Sequence, residues 1–359
     1  MHTLMHKNEI VLEVTEEGKV TVINEAKIPF DFRHYGTITY EHWLNWMKRR
    51  FSTLTRTYMS QLYKQRRVGR SNEAIIQDSG GISPVDLFWI QTKNTTHTWD
   101  SLQIMRDEKL STAKVSLTGE LDKSYNIFRE KPKDHISIFT TKGAFPKAIL
   151  QGHLLKKGDN AEYEVSAYKL GYRLGVNVAK AEMGDEGIVA CELFTDGKKS
   201  LAHMIEFVYP FNENSSDTVH ADAYKKLSHN KSFKQQLEVL YMFNYLVTNT
   251  DMHEENFGVL YDTETFEVTE VAPAFDFNSA FEVWGDNSVF YEWVYDNLST
   301  FVNNNYKFVG RLESINEILQ EVPYLTSEQK QSVADRARYL LSLRSITTQL
   351  QTSNTFDKK

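Results

Sequence analysis

The 359-residue sequence predicts an α+β protein whose first half is rich in strands and whose second half is mainly helical. Alternating apolar and polar residues at 8–30 indicate a β-hairpin. Strand-like segments recur at 136–157 and 176–208, whereas helical periodicity dominates 232–248 and most of 285–350. At roughly 150 residues per domain, this length corresponds to about two domains or to one two-lobed unit.

The composition excludes several classes of protein. Hydrophobic residues make up 41% and aromatic residues 13% of the chain, which suffices for a large core and excludes disorder over most of it. With 48 acidic and 41 basic residues the net charge is −7, so nucleic acid could bind only at a local basic patch. Cys191 is the single cysteine, which excludes a scaffold built on intrachain disulfides.

Neither a signal peptide nor a membrane span is predicted. The N-terminal residues lack the apolar run of a signal peptide, and no stretch approaches the roughly 20 apolar residues that cross a bilayer. We therefore expect a cytoplasmic protein without membrane contact. Export by a route that uses no classical signal stays open.

A long basic helix is predicted from about Tyr40 to Gln65, where apolar residues recur at the helical period. No acidic residue lies between Lys48 and Arg70, a range that holds eight basic residues. The basic helix 43–70 could therefore bind RNA, DNA or an acidic partner. The alternative interpretation is the solvated face of an ordinary amphipathic helix.

The segment most informative about chemistry lies between a predicted apolar helix and a predicted hairpin. Asp251 and Asn256 are five residues apart there, and Asp276 follows the hairpin between two phenylalanines. Phosphoryl transfer needs one carboxylate at the attacking hydroxyl, and an amide oxygen and a second carboxylate to hold Mg²⁺. A loop, a hairpin and a second loop can place these three side chains around one cavity. Alternatively, Asp251 caps a turn and Asp276 is structural.

A kinase also needs a strand lysine held by a helix glutamate. Lys157 ends a strand-like segment, and Glu164 lies one turn into a helix predicted from about Asn160 to Leu174. Because neighbouring strand residues face opposite sides, only one of Lys156 and Lys157 can face the cleft. We expect that lysine to be Lys157. Both lysines being solvated is the alternative.

A possible phosphate-binding loop precedes this strand at 139–147. Gly143 would let backbone N–H groups approach a phosphate. The segment lacks the Gly-Lys-Ser/Thr ending of a Walker A motif, and an ordinary turn explains it equally well.

Taken together, these segments resemble the HipA-like serine/threonine kinases of bacteria and their phages. The resemblance is closest to the shorter, stand-alone members, which include CtkA-like kinases. The segments that carry it are ISPVDLFWI with Trp99-Asp100-Ser101-Leu102, KGAFPKAIL, LLKKGDN, AEYEVSAYKLGYRLGV, NTDMHEENFGVL and VAPAFDFNSAF.

The resemblance implies a two-lobed, protein-kinase-like fold that uses ATP and Mg²⁺. The N-lobe would comprise 1–208, with an accessory part at 1–125 and the nucleotide-binding strands and helix at 126–208. The helical C-lobe with the catalytic and metal loops would comprise 209–359.

The functional residues follow from their places in these segments. The resemblance implies that Asp251 is the catalytic carboxylate and that Asn256 and Asp276 bind Mg²⁺. His253, in an Asp-x-His loop, would form a supporting hydrogen bond beside them. The resemblance also implies an adenine-binding hinge at 204–208. The nucleotide-binding residues that it implies are Lys157, Glu164, Thr140, Thr141, Lys142 and Gly143, together with Glu206, Phe207 and Val208 of the hinge. Thr140 and Thr141 are also the candidate autophosphorylation sites.

The function expected from the resemblance is a protein kinase with a protein substrate, as a toxin opposed by an antitoxin-like regulatory protein. Because the chain is acidic and shows no helix-turn-helix, we expect no direct DNA binding. One alternative is a small-molecule kinase of the aminoglycoside type, disfavoured because there the histidine usually precedes the catalytic aspartate. Another is an inactive binding module that uses the basic helix 43–70.

Overall fold

The computed structural model of the chain confirms the α+β class. It describes residues 1–51, 56–66, 69–95, 97–104, 110–121, 145–208, 218–283 and 291–356. Within this part of the chain, three antiparallel sheets and thirteen α-helices are present. None of the helices described has the length and apolar character needed to span a bilayer.

The first sheet is N-terminal and has the strand order β3-β2-β1-β4. Its strands are β1 (His2–His6), β2 (Glu9–Val14), β3 (Val20–Val22) and β4 (Phe88–Thr92). The predicted hairpin at 8–30 is confirmed as β2 and β3, with Gly18 at a φ of 80° in the turn. An L-residue with a side chain adopts that conformation only with strain, which explains the glycine.

Five helices belong to the N-terminal part: α1 (Tyr40–Arg50), α2 (Met59–Arg66), α3 (Asn72–Ser79), α4 (Trp99–Ile104) and α5 (Leu110–Thr118). The prediction of one continuous helix over 40–65 is wrong. Helix α1 ends at Arg50, the backbone of the following Phe51 is extended, and α2 begins only at Met59.

Some of the basic residues of this region do not lie on a solvated surface. Arg50 is buried and donates to both carboxylate oxygens of Asp86, at 2.8 and 2.9 Å. Arg56 is also buried, and Arg49 pairs with the buried Asp31. Tertiary contacts therefore hold part of the basic sequence inside the fold, which weakens the proposal of a binding surface at 43–70.

The second sheet has the order β5-β6-β8-β7, and one helix, α6, contacts its strands β7 and β8. Its strands are β5 (Lys147–Leu150), β6 (His153–Lys156), β7 (Ala181–Met183) and β8 (Val189–Glu192). Helix α6 (Tyr163–Leu174) ends at Gly175, which is left-handed with a φ of 67°. Both the helix and its glycine cap agree with the sequence prediction.

The third sheet, of order β11-β10-β9, lies among the remaining helices. Its strands are β9 (Lys199–His203), β10 (Gly258–Asp262) and β11 (Val268–Val271). The helices are α7 (Met204–Val208), α8 (Val219–Leu227), α9 (Lys231–Leu246), α10 (Glu292–Asn304), α11 (Tyr306–Arg311), α12 (Ile315–Glu321) and α13 (Ser327–Phe356). The predicted helix at 232–248 and the hairpin after the catalytic loop are confirmed as α9 and β10–β11.

The chain crosses from the second sheet to the third earlier than the sequence suggests. Strand β8 pairs with β6, whereas β9 pairs with β10. The connection at 193–198 therefore joins the two sheets, and the expected lobe boundary at 208 falls after the crossing. Hydrogen-bond pairing between strands distant in sequence decides this point, and local sequence patterns do not report it.

Candidate active site

A cavity of about 400 Å³ lies where the second and third sheets meet. The second sheet and the loops that follow the strands and helices contribute charged side chains to its lining. The sequence-predicted residues that the structure brings together there are Glu164, Glu206, Asp251, His253, Asn256 and Asp276. A cavity of this size with a few converging polar groups is typical of a small-molecule site.

The lysine of the cavity that pairs with Glu164 is Lys156. Its Nζ lies 2.5 Å from Glu164 Oε1 and 2.8 Å from Asp276 Oδ1. Burial alone would lower the pKa of Lys156, but Asp276 and Glu164 together raise it well above its ordinary value. The ammonium group is therefore charged over the whole physiological pH range.

The prediction that Lys157 pairs with Glu164 is wrong. Lys156 is the last residue of β6 and faces inward, so the next side chain points away from the cavity. The backbone N–H of Lys157 donates to the carbonyl of Pro146, which fixes the end of the strand. Because the strand has only four residues, the sequence alone did not show which side faced the core.

Asp276 is held in an unusual backbone conformation with a φ of 65°. For a residue with a side chain this region is strained, and such strain is concentrated at functional sites. The next N–H, of Phe277, donates to Glu164 Oε1 at 3.1 Å. Burial would raise the pKa of Asp276, but the charges of Lys156 and Lys147 outweigh it and hold the pKa well below its ordinary value.

A second buried lysine, Lys147, was not among the predicted site residues. It lies directly opposite Lys156 in the β5–β6 pairing and lines the same cavity. Burial and the neighbouring charge of Lys156 lower the pKa of Lys147 to about 8, although Asp276 opposes the shift. Equal spacing from the hairpin turn at Gln151-Gly152 could have revealed the pair, because opposite residues share a face.

The loop that carries Asp251 is braced by amide side chains. Asn256 Nδ2 donates to the carbonyl of Asp251 at 2.7 Å and to its Oδ2 at 3.2 Å. Asn249 Oδ1 accepts from the N–H of Asp251 at 3.2 Å, and its Nδ2 donates to Asn244 Oδ1 at 2.8 Å. These bonds connect the loop to the end of α9 and fix the direction of the carboxylate.

Asp251 is half-exposed and has an imidazole beside it. His253 Nε2 lies 3.8 Å from Asp251 Oδ1. Burial raises the pKa of Asp251 above its ordinary value, since the opposing effect of His253 is smaller. A carboxylate that is both reachable and more basic than usual is suited to receive a proton.

The oxygen ligands present fit a magnesium ion. Because Asn256 uses its Nδ2 on Asp251, its Oδ1 is the atom left for a cation, and Asp276 supplies a carboxylate in the same cavity. Mg²⁺ prefers such oxygen ligands and completes its shell with water and phosphate. In the described residues, no cluster of three or more His, Cys, Asp or Glu side chains could hold a metal by itself.

The predicted adenine hinge at 204–208 is wrong, because this segment forms helix α7. The carbonyls of Glu206 and Phe207 accept from His34 Nε2 at 2.9 Å and from Lys226 Nζ at 2.5 Å. Of the three predicted residues, Glu206 lines the cavity, and Phe207 and Val208 do not. Leu193 and Phe194, in the connection between the sheets, line it instead.

The predicted phosphate loop lies outside the described residues. This applies to Thr140, Thr141, Lys142 and Gly143.

Comparison with known proteins identifies the family. A family model described as the HipA-like C-terminal domain matches residues 130–337, which is more than half of the chain. The chain belongs to this family. None of the curated protein sequences matches it.

Two solved structures are similar to this chain. HipA of Shewanella oneidensis MR-1, in a toxin–antitoxin complex with HipB and operator DNA, is 14% identical with a TM-score of 0.61 and coverage of 96% of each chain. The proinflammatory kinase CtkA of Helicobacter pylori is 16% identical with a TM-score of 0.44, covering 57% of this chain and 94% of its own. The HipA match confirms that this chain has the kinase-like fold expected from its sequence.

Proposed function

We propose that this HipA-like chain is an ATP- and Mg²⁺-dependent serine/threonine protein kinase. One observation carries the proposal: Lys156 lies between Glu164 and Asp276 in the cavity that also holds Asp251 and Asn256. This set contains the cation, the metal ligands and the carboxylate that phosphoryl transfer requires.

The described residues suggest how a nucleotide would lie. Leu193 and Phe194 would contact the base, because these apolar side chains line the cavity where the chain connects the two sheets. Lys147 and Lys156 would bind the phosphate oxygens, and Asn256 and Asp276 would hold the ion. Bound Mg²⁺ would neutralise phosphate charge and align the terminal phosphate.

Asp251 would act on the protein substrate. Its half-exposed carboxylate would accept a hydrogen bond from the incoming serine or threonine hydroxyl and orient it toward the phosphate. The raised pKa of Asp251 makes it a better proton acceptor than an ordinary aspartate. His253 would steady the carboxylate from 3.8 Å away.

Transfer of label from γ-³²P-ATP tests this function. The purified chain should incorporate label into itself or into mixed bacterial protein when Mg²⁺ is present, and phosphoamino-acid analysis should show phosphoserine or phosphothreonine. Asp276→Ala should remove the Mg²⁺-dependent part of ATP binding. Label that enters only small molecules would instead support an aminoglycoside-type kinase. Absence of ATP turnover by the wild-type protein would contradict the kinase proposal.

Autophosphorylation and partners are part of the same proposal. Thr140 and Thr141 are the candidate acceptors, which mass spectrometry of the ATP-treated chain would locate. The HipA neighbour forms a complex with HipB and operator DNA. We propose an antitoxin-like regulatory protein for this chain in the cytoplasm, with DNA contact made through that partner, because the chain itself carries a net charge of −7. Growth arrest on expression, relieved by Asp251→Ala, would support a toxin-like role.

A further inference from the structure

The N-terminal part of the chain forms one wall of the active-site cavity. Asp31, Arg49 and residues 83–85 line the cavity together with the catalytic loop and the connection at 193–194. Local sequence patterns do not report this contact, because these residues lie more than 100 positions before the catalytic loop.

This wall is fixed to the nucleotide-binding region by hydrogen bonds on both sides of the connection. The N–H of Leu201 donates to the carbonyl of Val85 at 2.7 Å, and Thr195 Oγ1 donates to the carbonyl of Pro84 at 2.7 Å. His34 Nε2 lies 2.9 Å from the carbonyl of Glu206. These bonds attach the N-terminal wall to residues on both sides of the connection that we propose contacts the base.

Asp31 and Arg49 form an ion pair, and both residues line this cavity. The Asp31 side chain is 4% exposed and that of Arg49 is 13% exposed. Desolvating two such charges costs about as much as their attraction returns, so a buried pair is weak evidence of a stabilising role. Its place on a cavity wall supports a role in ligand recognition.

We propose that Asp31 and Arg49 recognise the ribose hydroxyls of the bound nucleotide. This rests on the proposed kinase function, which places the base at 193–194 and the phosphates at Lys147 and Lys156. The sugar joins these two ends and carries hydroxyls that both donate and accept. A carboxylate accepts from such a hydroxyl and a guanidinium donates to it, so the pair matches a cis-diol.

The first test uses the unchanged protein and three nucleotides. Isothermal titration calorimetry with Mg²⁺ compares ATP, 2′-deoxy-ATP and 3′-deoxy-ATP. Loss of a hydrogen bond to a buried charged group corresponds to roughly a tenfold weaker Kd, so at least one deoxynucleotide should bind about tenfold more weakly than ATP. Equal affinities for all three would overturn the proposal.

The second test identifies the side chain that forms the hydrogen bond to the ribose hydroxyl. Asp31→Asn should bring ATP and the discriminated deoxynucleotide to nearly equal affinity, whereas wild type keeps its tenfold preference. Glu16→Gln is the matched control, because Glu16 is an exposed carboxylate paired with Lys93 in the same part of the chain. Arg49→Lys keeps the charge and should reduce the preference less, and thermal melting confirms that each variant is folded.

The outcomes separate this proposal from the kinase proposal. If wild type binds no ATP, both fail. If ATP binds and is turned over without discrimination at the sugar, ribose recognition alone fails. Glu206 lines the same cavity and is the alternative partner of the sugar. If Glu206→Gln loses the preference for ATP over the deoxynucleotide while Asp31→Asn keeps it, Glu206 binds the sugar and the proposal is overturned.

Discussion

Two buried cations in this protein are each held by carboxylates, yet their surroundings differ. Arg50 donates to both oxygens of Asp86 and to the carbonyls of Gly81 and Phe88. Lys156 contacts Glu164 and Asp276.

The two cations differ in how fully protein acceptors surround them. Backbone carbonyls and a bidentate carboxylate occupy the guanidinium of Arg50, which joins α1 to the start of β4. Lys156 has a second lysine opposite it, a strained Asp276 beside it and a cavity in front of it. We infer that the Arg50 cluster stabilises the fold, whereas the Lys156 cluster is arranged to receive a ligand.

The largest effect on activity is expected at Asp251, the proposed catalytic carboxylate in the cavity that Lys156 lines. Asp251→Asn should lower kcat about 10²–10⁴-fold, because the hydroxyl loses its proton acceptor. The Kd for Mg²⁺-ATP should change little, since Asp251 contacts the hydroxyl and not the nucleotide. Single-turnover kinetics and calorimetry measure the two quantities. Weakened ATP binding with intact turnover would show that the role assignment is wrong.

Arg50→Met should reduce the free energy of unfolding by about 3–5 kcal/mol, because Asp86 would be left without its buried partner. Urea denaturation measures this change. Arg70→Met, at an exposed position, is the control and should change stability by about 0.5 kcal/mol or less. A stable Arg50→Met protein that has lost only ATP binding would reverse our comparison of the two clusters.

Lys156→Met should weaken ATP binding by roughly 10–100-fold, because a charge-assisted contact to phosphate is lost. Lys157→Met is the matched control one residue away and should bind nearly as wild type does. Calorimetry on both variants compares the two faces of the strand. The opposite ranking would mean that β6 presents its other face to the nucleotide.

The smallest effect concerns pH and Lys147. Burial and the charge of Lys156 lower the pKa of Lys147 from 10.5 to about 8 in the folded state. Between these values the unfolded chain binds more protons, so the Lys147 contribution to stability rises as pH increases from about 8 to 10.5. Lys147→Met should lack this rise, which urea denaturation at several pH values detects. Parallel curves for the two proteins would contradict the lowered pKa.

Local patterns were enough for the elements next to the catalytic loop. Helix α9, the β10–β11 hairpin and α6 with its cap at Gly175 all carry clear periodicity or turn chemistry. Asp251, Asn256 and Asp276 could be selected because polar residues interrupt these apolar segments at fixed spacings. Local signals of this kind come from residue types at short spacings along the chain.

Predictions that needed long-range pairing were less successful. The family resemblance predicts a hinge at 204–208, whereas the pairing of β9 with β10 puts the connection between the sheets at 193–198. The inward lysine was assigned to Lys157 because a four-residue strand gives too few alternations to fix its face. The apolar periodicity that predicts a continuous helix at 40–65 carries no information about the tertiary contacts of Arg50.

The sequence by itself determined the α+β class, the catalytic loop and the family resemblance, because these depend on residue types at short spacing. Only the tertiary structure decided that Lys147 and Lys156 face one cavity and that Asp31 and Arg49 form its wall. Those facts arise from strand register and from packing between segments far apart in the chain. Many different folds would satisfy the same local patterns, and burial of the shared core selects among them.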